Sequence, residues 1–268
     1  MEFIDSHAHL NDPAFDADRL SLIKNLSAHQ VVASVEIGCS PEEWLPALAL
    51  SKQFPSTIFP ALGVHPEYAP KVTPQCTDQL AKLLQDPCVK AVGEIGLDYT
   101  CLEIADKTLQ NDTFTQMLSL SNKAEKPIVL HVRREGENYE AYTDTFSLLQ
   151  HNWQAKTHTQ FAGVLHCFCA RYEEAKQALD MGLLLGINGC FTYKKNEYIR
   201  EAVKKVGADK IILETDCPYL SPQGKRGTRN DPSNIPLIGQ FVADYLDISL
   251  EQLSRQTTLR AKQLYGLP

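Results

Sequence analysis

The 268-residue chain is 43% hydrophobic and 22% charged, with a formal net charge of −7, a balance typical of a globular protein with a sizeable core. The negative charge excludes a broad basic surface for nucleic acid, because such surfaces rely on many Lys and Arg contacts to phosphates. The N-terminus lacks a signal-peptide pattern, and no uncharged apolar run approaches the ~20 residues of a membrane span. We therefore expect a cytoplasmic protein with no membrane partner.

Eight short apolar and β-branched segments recur along the chain, and each precedes a stretch with helical periodicity. This alternation predicts parallel strands joined by helices, and eight such strands close a (β/α)8 TIM barrel. We therefore predict an α/β protein with a single domain over residues 1–268. The predicted strands are Phe3–Asp5, Val31–Ile37, Ile58–Val64, Val89–Ile95, Ile128–Val132, Gly163–Cys167, Leu183–Ile187 and Ile211–Glu214.

Local signals mark two of the helices. Ser40-Pro41-Glu42-Glu43 has the pattern of an N-cap, a proline at the first helical position and an acidic first turn. A helix over Asn196–Val206 is expected to end at Gly207. The longest segment without a clear element is 219–236, and loops of this length are usually functional or disordered.

The eight cysteines include no C-x-x-C pair, so reduced and partly buried thiols are expected in place of a disulfide framework. Cys167 and Cys169 are a candidate pair for a soft metal ion. We expect these two residues to be free thiols without a bound metal.

Candidate metal ligands fall at the ends of the predicted strands. Catalytic groups of TIM barrels come from the C-terminal ends of the strands and the loops after them. His7 and His9 are two residues apart, so both can face the same side of their strand. This pair alone is weak evidence for a metal site, but other potential ligands also lie at the ends of predicted strands. The full set is His7, His9, His65, Glu94, His131, His166 and Asp216.

Imidazole and carboxylate ligands suit divalent cations such as Mg, Mn or Zn without fixing which one binds. A carboxylate on a middle strand can bridge two cations that clamp the attacking and leaving oxygens of a phosphoester. We predict that Glu94 is this bridge and that Asp216 orients or deprotonates a metal-activated water. The first cation would take His7, His9 and Asp216, and the second would take His131 and His166.

Six motifs together resemble the TatD family of metal-dependent deoxyribonucleases. They occur in order from Phe3 to near the end of the chain, and they are FIDSHAHL (3–10), GVHP (63–66), GEIGLDY (93–99), IVLH (128–131), HCF (166–168) and ETDCPYL (214–220). The resemblance implies an amidohydrolase-like TIM barrel, one to three divalent metal ions and hydrolysis of DNA, in some members as a 3′–5′ exonuclease. It also implies ligand roles for His7, His9, Glu94, His131, His166 and Asp216.

Substrate contacts are predicted around this centre. The resemblance implies that His65 lies near the scissile phosphate, with a buried histidine that caps a carbonyl as the alternative. Arg133 could hold a phosphate oxygen with its forked donors or form a salt bridge with a nearby Glu. Asp98 is expected to orient a loop or a ligand histidine. Basic residues in late loops form the candidate DNA track, namely Lys194, Lys195, Lys225, Arg226 and Arg229.

Two positions depart from the family pattern. Thr100–Glu103 replaces the aromatic and basic residues that relatives commonly place after the Asp-Tyr pair, and Asp231, a shorter carboxylate, stands before Pro232 where a Glu is usual. Neither position is a predicted metal ligand. The departures therefore weaken the substrate assignment more than the metal site.

Two other functions stay open at the level of sequence. A small-molecule amidohydrolase acting on a lactone, cyclic amide or phosphotriester could use a similar site, although many carry a carboxylated lysine where this chain has Glu94. A non-catalytic nucleic-acid-binding barrel should have lost ligands, and all six are present. DNA is the expected substrate and a monomer the expected state, although the sequence does not fix the oligomeric state.

Overall fold

Eight parallel strands pair in chain order, each with the next, in the computed structural model, which describes residues 1–268. This architecture confirms the predicted α/β TIM barrel. The strands are β1 (Phe3–Ala8), β2 (Val31–Gly38), β3 (Ile58–Leu62), β4 (Ala91–Asp98), β5 (Ile128–Arg133), β6 (Gly163–Leu165), β7 (Leu183–Ile187) and β8 (Ile211–Leu213).

Nine α-helices surround the strands, and none is long and apolar enough to cross a membrane. Asn196 is the N-cap of α7, and Gly207 follows its last residue at a φ of 88°, as predicted. The helices are α1 (Arg19–Lys24), α2 (Trp44–Gln53), α3 (Pro74–Leu83), α4 (Lys107–Ala124), α5 (Glu140–Asn152), α6 (Tyr172–Asp180), α7 (Glu197–Val206), α8 (Ile235–Leu246) and α9 (Leu250–Tyr265).

The start of α2 differs from the prediction. The helix begins at Trp44, and its N-cap is Glu43 and not Ser40. The carbonyl of Ser40 accepts the Glu43 N–H at 3.0 Å, which closes a separate turn before the helix. The Glu43 carboxylate accepts the N–H of Cys39 at 2.9 Å, so the expected first-turn acid instead binds the backbone ahead of that turn.

Two apolar layers support the barrel. A cluster of 15 buried residues takes side chains from every strand, including Ile4, Val35, Val129 and Ile212, and fills the interior. A larger cluster of 45 buried residues joins the outer face of the strands to the helices. Because side chains alternate along a strand, neighbouring strand residues divide between these two layers.

The barrel closes between β1 and residues 215–217, which follow β8. The Asp216 N–H donates to the carbonyl of His7 at 2.9 Å, and the His9 N–H donates to the carbonyl of Cys217 at 2.9 Å. The buried Asp5 carboxylate accepts the N–H of Thr215 at 2.8 Å and its hydroxyl at 2.5 Å. Closure therefore places Asp216 against the end of β1.

Extra residues interrupt the strand pairing at three points, one between β4 and β5 and two between β1 and β2. In β4, Gly93 pairs with Val129 but Ile95 pairs with Leu130, so Glu94 is the extra residue. In β1 the register also shifts, between Asp5 and Ala8. Such irregularities re-aim a side chain and are frequent beside active sites. They correct the prediction that Glu94 ends its strand, because β4 continues to Asp98 while Glu94 still faces the cavity.

Trp44 ties α2 to the site end of β3, and the chain offers Trp153 as a matched control. The Trp44 indole is fully buried and donates to the carbonyl of Gly63 at 2.7 Å, whereas the Trp153 indole N–H has no partner. We expect Trp44→Phe to lower the free energy of unfolding by about 2 kcal/mol, through a lost buried hydrogen bond and a small cavity. Trp153→Phe should cost less than about 1 kcal/mol. Urea unfolding measures both values, and equal losses would contradict this role of Trp44.

Candidate metal centre

A cavity of about 810 Å³ opens at the C-terminal ends of the strands. The predicted residues that line it are His9, His65, Glu94, Asp98, His131, Arg133, His166 and Asp216. His7 is fully buried behind this wall. Of the predicted site residues, Arg229 lies outside both the wall and the cluster of potential ligands.

Four side-chain atoms converge where β1 meets residues 215–217. His7 Nε2 lies 3.2 Å from His9 Nε2 and 3.4 Å from Glu94 Oε2. Asp216 Oδ1 lies 3.4 Å from His9 Nε2 and 3.8 Å from His7 Nε2. The structure thus brings together the three residues predicted for the first cation and the predicted bridge.

These spacings fit a divalent cation. Ligand bonds of about 2.1 Å to nitrogen and oxygen place two donors on a tetrahedral cation about 3.4 Å apart. The five distances that involve the two histidine nitrogens run from 3.2 to 3.9 Å, which brackets that value. The residues present therefore fit a metal ion.

A second group forms around the other oxygen of Glu94. Glu94 Oε1 lies 2.6 Å from His131 Nδ1 and 3.5 Å from His166 Nε2. The first of these distances is a hydrogen bond, and it is shorter than the spacing of two donors on one cation. A cation between these residues would separate His131 from Glu94 by a further several tenths of an ångström.

Histidines supply every ion-pair partner of the two carboxylates at the centre. Glu94 pairs with His7, His9, His131 and His166, and Asp216 pairs with His7 and His9. Burial alone would raise the pKa of Glu94, but the positive charge of His166 and the charge and hydrogen bond of His131 hold it well below its usual value. A buried carboxylate without Lys or Arg depends on such partners or on a metal ion.

The histidines differ in charge. Burial would lower the pKa of His9 and His131, but Asp216 raises the first to about 9 and Glu94 with Asp98 raises the second to about 9. His7 stacks on His166 with ring centroids 3.4 Å apart. Burial and the positive charge of His166 lower the pKa of His7, so His7 is the neutral member of this pair.

Two buried carboxylates outside the ligand set hold the surrounding backbone and side chains. Glu214 Oε1 lies 3.0 Å from His166 Nδ1 and accepts the N–H of Cys167 at 2.7 Å. Glu36 accepts the N–H of Leu10 at 2.8 Å with one oxygen and that of Asn11 at 3.0 Å with the other. Carboxylates in such positions orient metal-binding histidines and the loops that carry them.

His65 and Asp98 lie beyond His131. Asp98 Oδ2 is 3.3 Å from His131 Nε2, where it can orient that ring as expected. His65 Nδ1 accepts the N–H of Glu67 at 3.2 Å, so its Nε2 carries the hydrogen of a neutral ring. Burial and the positive charge of His131 lower the pKa of His65 to about 3. The alternative role predicted for His65 was to donate to a carbonyl at a strand end. In the structure its ring instead accepts a backbone N–H.

The predicted basic contacts are dispersed. Arg133 ends β5 and is exposed at the cavity wall. Arg229 instead pairs with Asp18 at 2.6 Å and lies over the ring of Phe15. Lys225 donates to Asn234 at 2.6 Å. Arg229 and Lys225, two residues of the candidate DNA track, are thus bound to other side chains of the protein.

Sequence reasoning missed the supporting residues more than the ligands. Glu36 is a single carboxylate within the otherwise apolar run VVASVEIG, and this contrast was a usable signal. Glu214 stood in a quoted motif without a role. Tyr68 and Tyr219 line the cavity, but an isolated tyrosine in a sequence gives no such indication.

Residues 4–266 match the family model described as TatD related DNase. The protein named uncharacterized metal-dependent hydrolase YabD, from Bacillus subtilis (strain 168), is 29% identical over 263 residues, with 98% of each chain covered. A 3′–5′ ssDNA/RNA exonuclease TatD from Erwinia tasmaniensis is 31% identical over 268 residues, covering 98% of this chain and 99% of the relative. The crystal structure of YjjV, a TatD homolog from Escherichia coli K12, has a TM-score of 0.89 at 23% identity, covering 99% of this chain and 98% of the other.

Cation binding should release protons from the histidines. His9 and His131 have pKa values of about 9, and the pKa of His166 is also raised, whereas a metal ion takes neutral imidazole. For protein stripped by chelation, we expect apparent Mn²⁺ or Zn²⁺ affinity to increase with pH up to about 9 and then level off. Calorimetry at about pH 7, in buffers with different ionisation enthalpies, counts the released protons.

The exposed His158 provides the control for this titration, since its salt bridge is with Glu125 at 2.8 Å, outside the cavity. His158→Ala should release the same number of protons as the original chain, and His131→Ala should release fewer. Affinity that does not change between about pH 7 and pH 9 would contradict the assigned ligands.

Proposed function

Because the chain belongs to the TatD family, as its six motifs predicted, we propose that it hydrolyses phosphodiester bonds of single-stranded DNA with divalent cations. The observation that carries this proposal is the convergence of His7, His9, Glu94 and Asp216 at spacings that fit a cation, beside an open cavity that the last three of them line. The curated relatives described above are named metal-dependent hydrolases or exonucleases, which supports the same chemistry here.

Each ligand has a separate role in this proposal. His7, His9 and Asp216 would hold one cation, His131 and His166 would hold another, and Glu94 has one oxygen directed at each group. Bound divalent cations supply Lewis acidity and lower the pKa of water. Among the carboxylates at the cavity wall, Asp216 has only Oδ1 beside the ligand histidines, whereas both oxygens of Glu94 lie against them. The lowered pKa of Asp216 keeps it ionised, so we assign it the proton from the attacking water.

The opposite side of the cavity supplies donors for the substrate. His65 presents a neutral Nε2–H, which can donate to a phosphate oxygen without adding a charge. Arg133 offers a forked guanidinium at the exposed end of β5. Arg229 is held at the outer rim by its hydrogen bonds to Asp18. It would contact a neighbouring phosphate only after these bonds break.

Aromatic side chains at the rim favour an unpaired strand as substrate. Tyr219 is 55% exposed and Tyr68 is half-buried, and both line the cavity. Bases of a single strand stack on such rings, with about 1–3 kcal/mol per base. Base stacking does not require the broad basic surface that the net charge of −7 excludes. The name of the Erwinia relative supports a 3′–5′ direction.

Nuclease assays on single-stranded DNA test this proposal. With Mg²⁺ or Mn²⁺, we expect nucleotides to be released from 3′ ends and the activity to be lost on chelation. Asp216→Asn should lower kcat by about 10²–10⁴-fold, since it removes the proton acceptor. Glu94→Gln should abolish turnover, because one carboxylate serves both ligand groups.

The exposed Glu251 at the start of α9 provides a carboxylate control, and Glu251→Gln should keep the original rate. Nuclease activity that survives Glu94→Gln would contradict the metal mechanism. Turnover of a lactone or a cyclic amide, with no release of nucleotides, would replace DNA by a small-molecule substrate. In that case the metal dependence would remain and the substrate assignment would be wrong.

A further inference from the structure

Three cysteines meet beside the metal centre, on the side formed by β6 and β7. Cys167 and Cys169 follow β6, and Cys190 lies in a short 3-10 helix after β7. The Sγ atoms of Cys167 and Cys169 are 4.0 Å apart, and all three Sγ atoms lie within 4.8 Å of one another. The three residues line the cavity, and none is in a disulfide.

The sulfur spacing suits a shared cation better than a disulfide. A Zn–S bond of about 2.3 Å places two sulfurs on a tetrahedral cation about 3.8 Å apart. The 4.0 Å between Cys167 and Cys169 is close to this value. A disulfide bond is about 2.05 Å long, so that pair would have to approach by roughly 2 Å to form one.

One buried network fixes the backbone of two of the thiols. Glu214 Oε1 accepts the Cys167 N–H at 2.7 Å and the Asn188 side-chain amide at 3.2 Å. Asn188 Oδ1 in turn accepts the Cys190 N–H at 3.0 Å. Cys167 has a φ of 47°, a left-handed conformation that L-residues rarely adopt and that the hydrogen bond to Glu214 holds in place.

Phe168 lies between Cys167 and Cys169 in the sequence. Its ring is buried and its N–H donates to the carbonyl of Gly186 at 2.9 Å, so it anchors the segment on β7. With this anchor in place, the side chains of Cys167 and Cys169 turn to the cavity on either side of it. The three thiols are therefore held near one another before any ligand arrives.

We propose that Cys167, Cys169 and Cys190 bind one soft cation, such as Zn²⁺ or Cu⁺, beside the His/carboxylate centre. Thiolates select soft cations, whereas imidazole and carboxylate donors also accept Mg²⁺ and Mn²⁺. Three protein ligands leave a fourth position that faces the cavity and is open to solvent or substrate. The proposal goes beyond the nuclease function and does not depend on the identity of the substrate.

Cobalt titration of the full chain tests this site. Protein kept reduced and stripped by chelation is titrated with Co²⁺, and thiolate bound to cobalt is recognised by its charge-transfer absorption in the near ultraviolet. We expect this band to appear, to disappear on addition of Zn²⁺, and to fall by more than about half in Cys169→Ser and Cys190→Ser. Absorption at the Zn edge of the original chain should show sulfur neighbours at about 2.3 Å.

Cys88 lies outside the cluster, in the connection between α3 and β4, and Cys88→Ser should leave the band unchanged. Circular dichroism of each variant checks folding, and the edge spectrum of the original chain does not depend on any variant. The proposal is overturned if the band is absent, if it persists in both cluster variants, or if zinc shows only nitrogen and oxygen neighbours. A loss of two hydrogens in the mass of the protein, without bound metal, would assign a disulfide to these thiols and also overturn it.

Discussion

Closure of the barrel between β1 and residues 215–217 is the constraint on which the site depends. The hydrogen bonds from the Asp216 N–H to His7 and from the His9 N–H to Cys217 belong to the seam itself, so the backbone that closes the ring also sets the positions of three predicted ligands. Asp5 reinforces the seam from within by accepting the N–H and hydroxyl of Thr215. Stability of the fold and geometry of the site therefore share the same contacts.

Charge balance follows from this geometry. The seam places Asp216 and the extra residue of β4 places Glu94 in one buried region, in which their ion-pair partners are histidines alone. Protonated histidines offset the carboxylates at low pH, and this support is lost as pH rises through the raised pKa values of His9 and His131, about 9 each. In the proposed function, bound divalent cations would supply the same compensation at higher pH and would also activate water.

The sequence predicted the barrel and the candidate ligands, because alternating strands and helices bring strand ends to one face whatever the details of packing. It did not predict the extra residue at Glu94, since a regular strand repeats every two residues and an irregularity leaves no periodic trace. Partners that come from strands that are not adjacent were also missed, such as Glu214 after β8 beside His166 after β6. Cys190 approaches Cys167 because β6 and β7 are neighbours, a contact that no local spacing could indicate.

Anomalous diffraction from crystals soaked in Mn²⁺ tests the central claim most directly, namely that one carboxylate joins two groups of ligands. The account predicts a peak bounded by His7, His9, Asp216 and Glu94 Oε2, and a second peak that contacts Glu94 Oε1 between His131 and His166. The two peaks should lie about 3.5–4 Å apart. Peaks that leave Glu94 without a cation, or the absence of manganese from this cavity at saturating concentration, would contradict it.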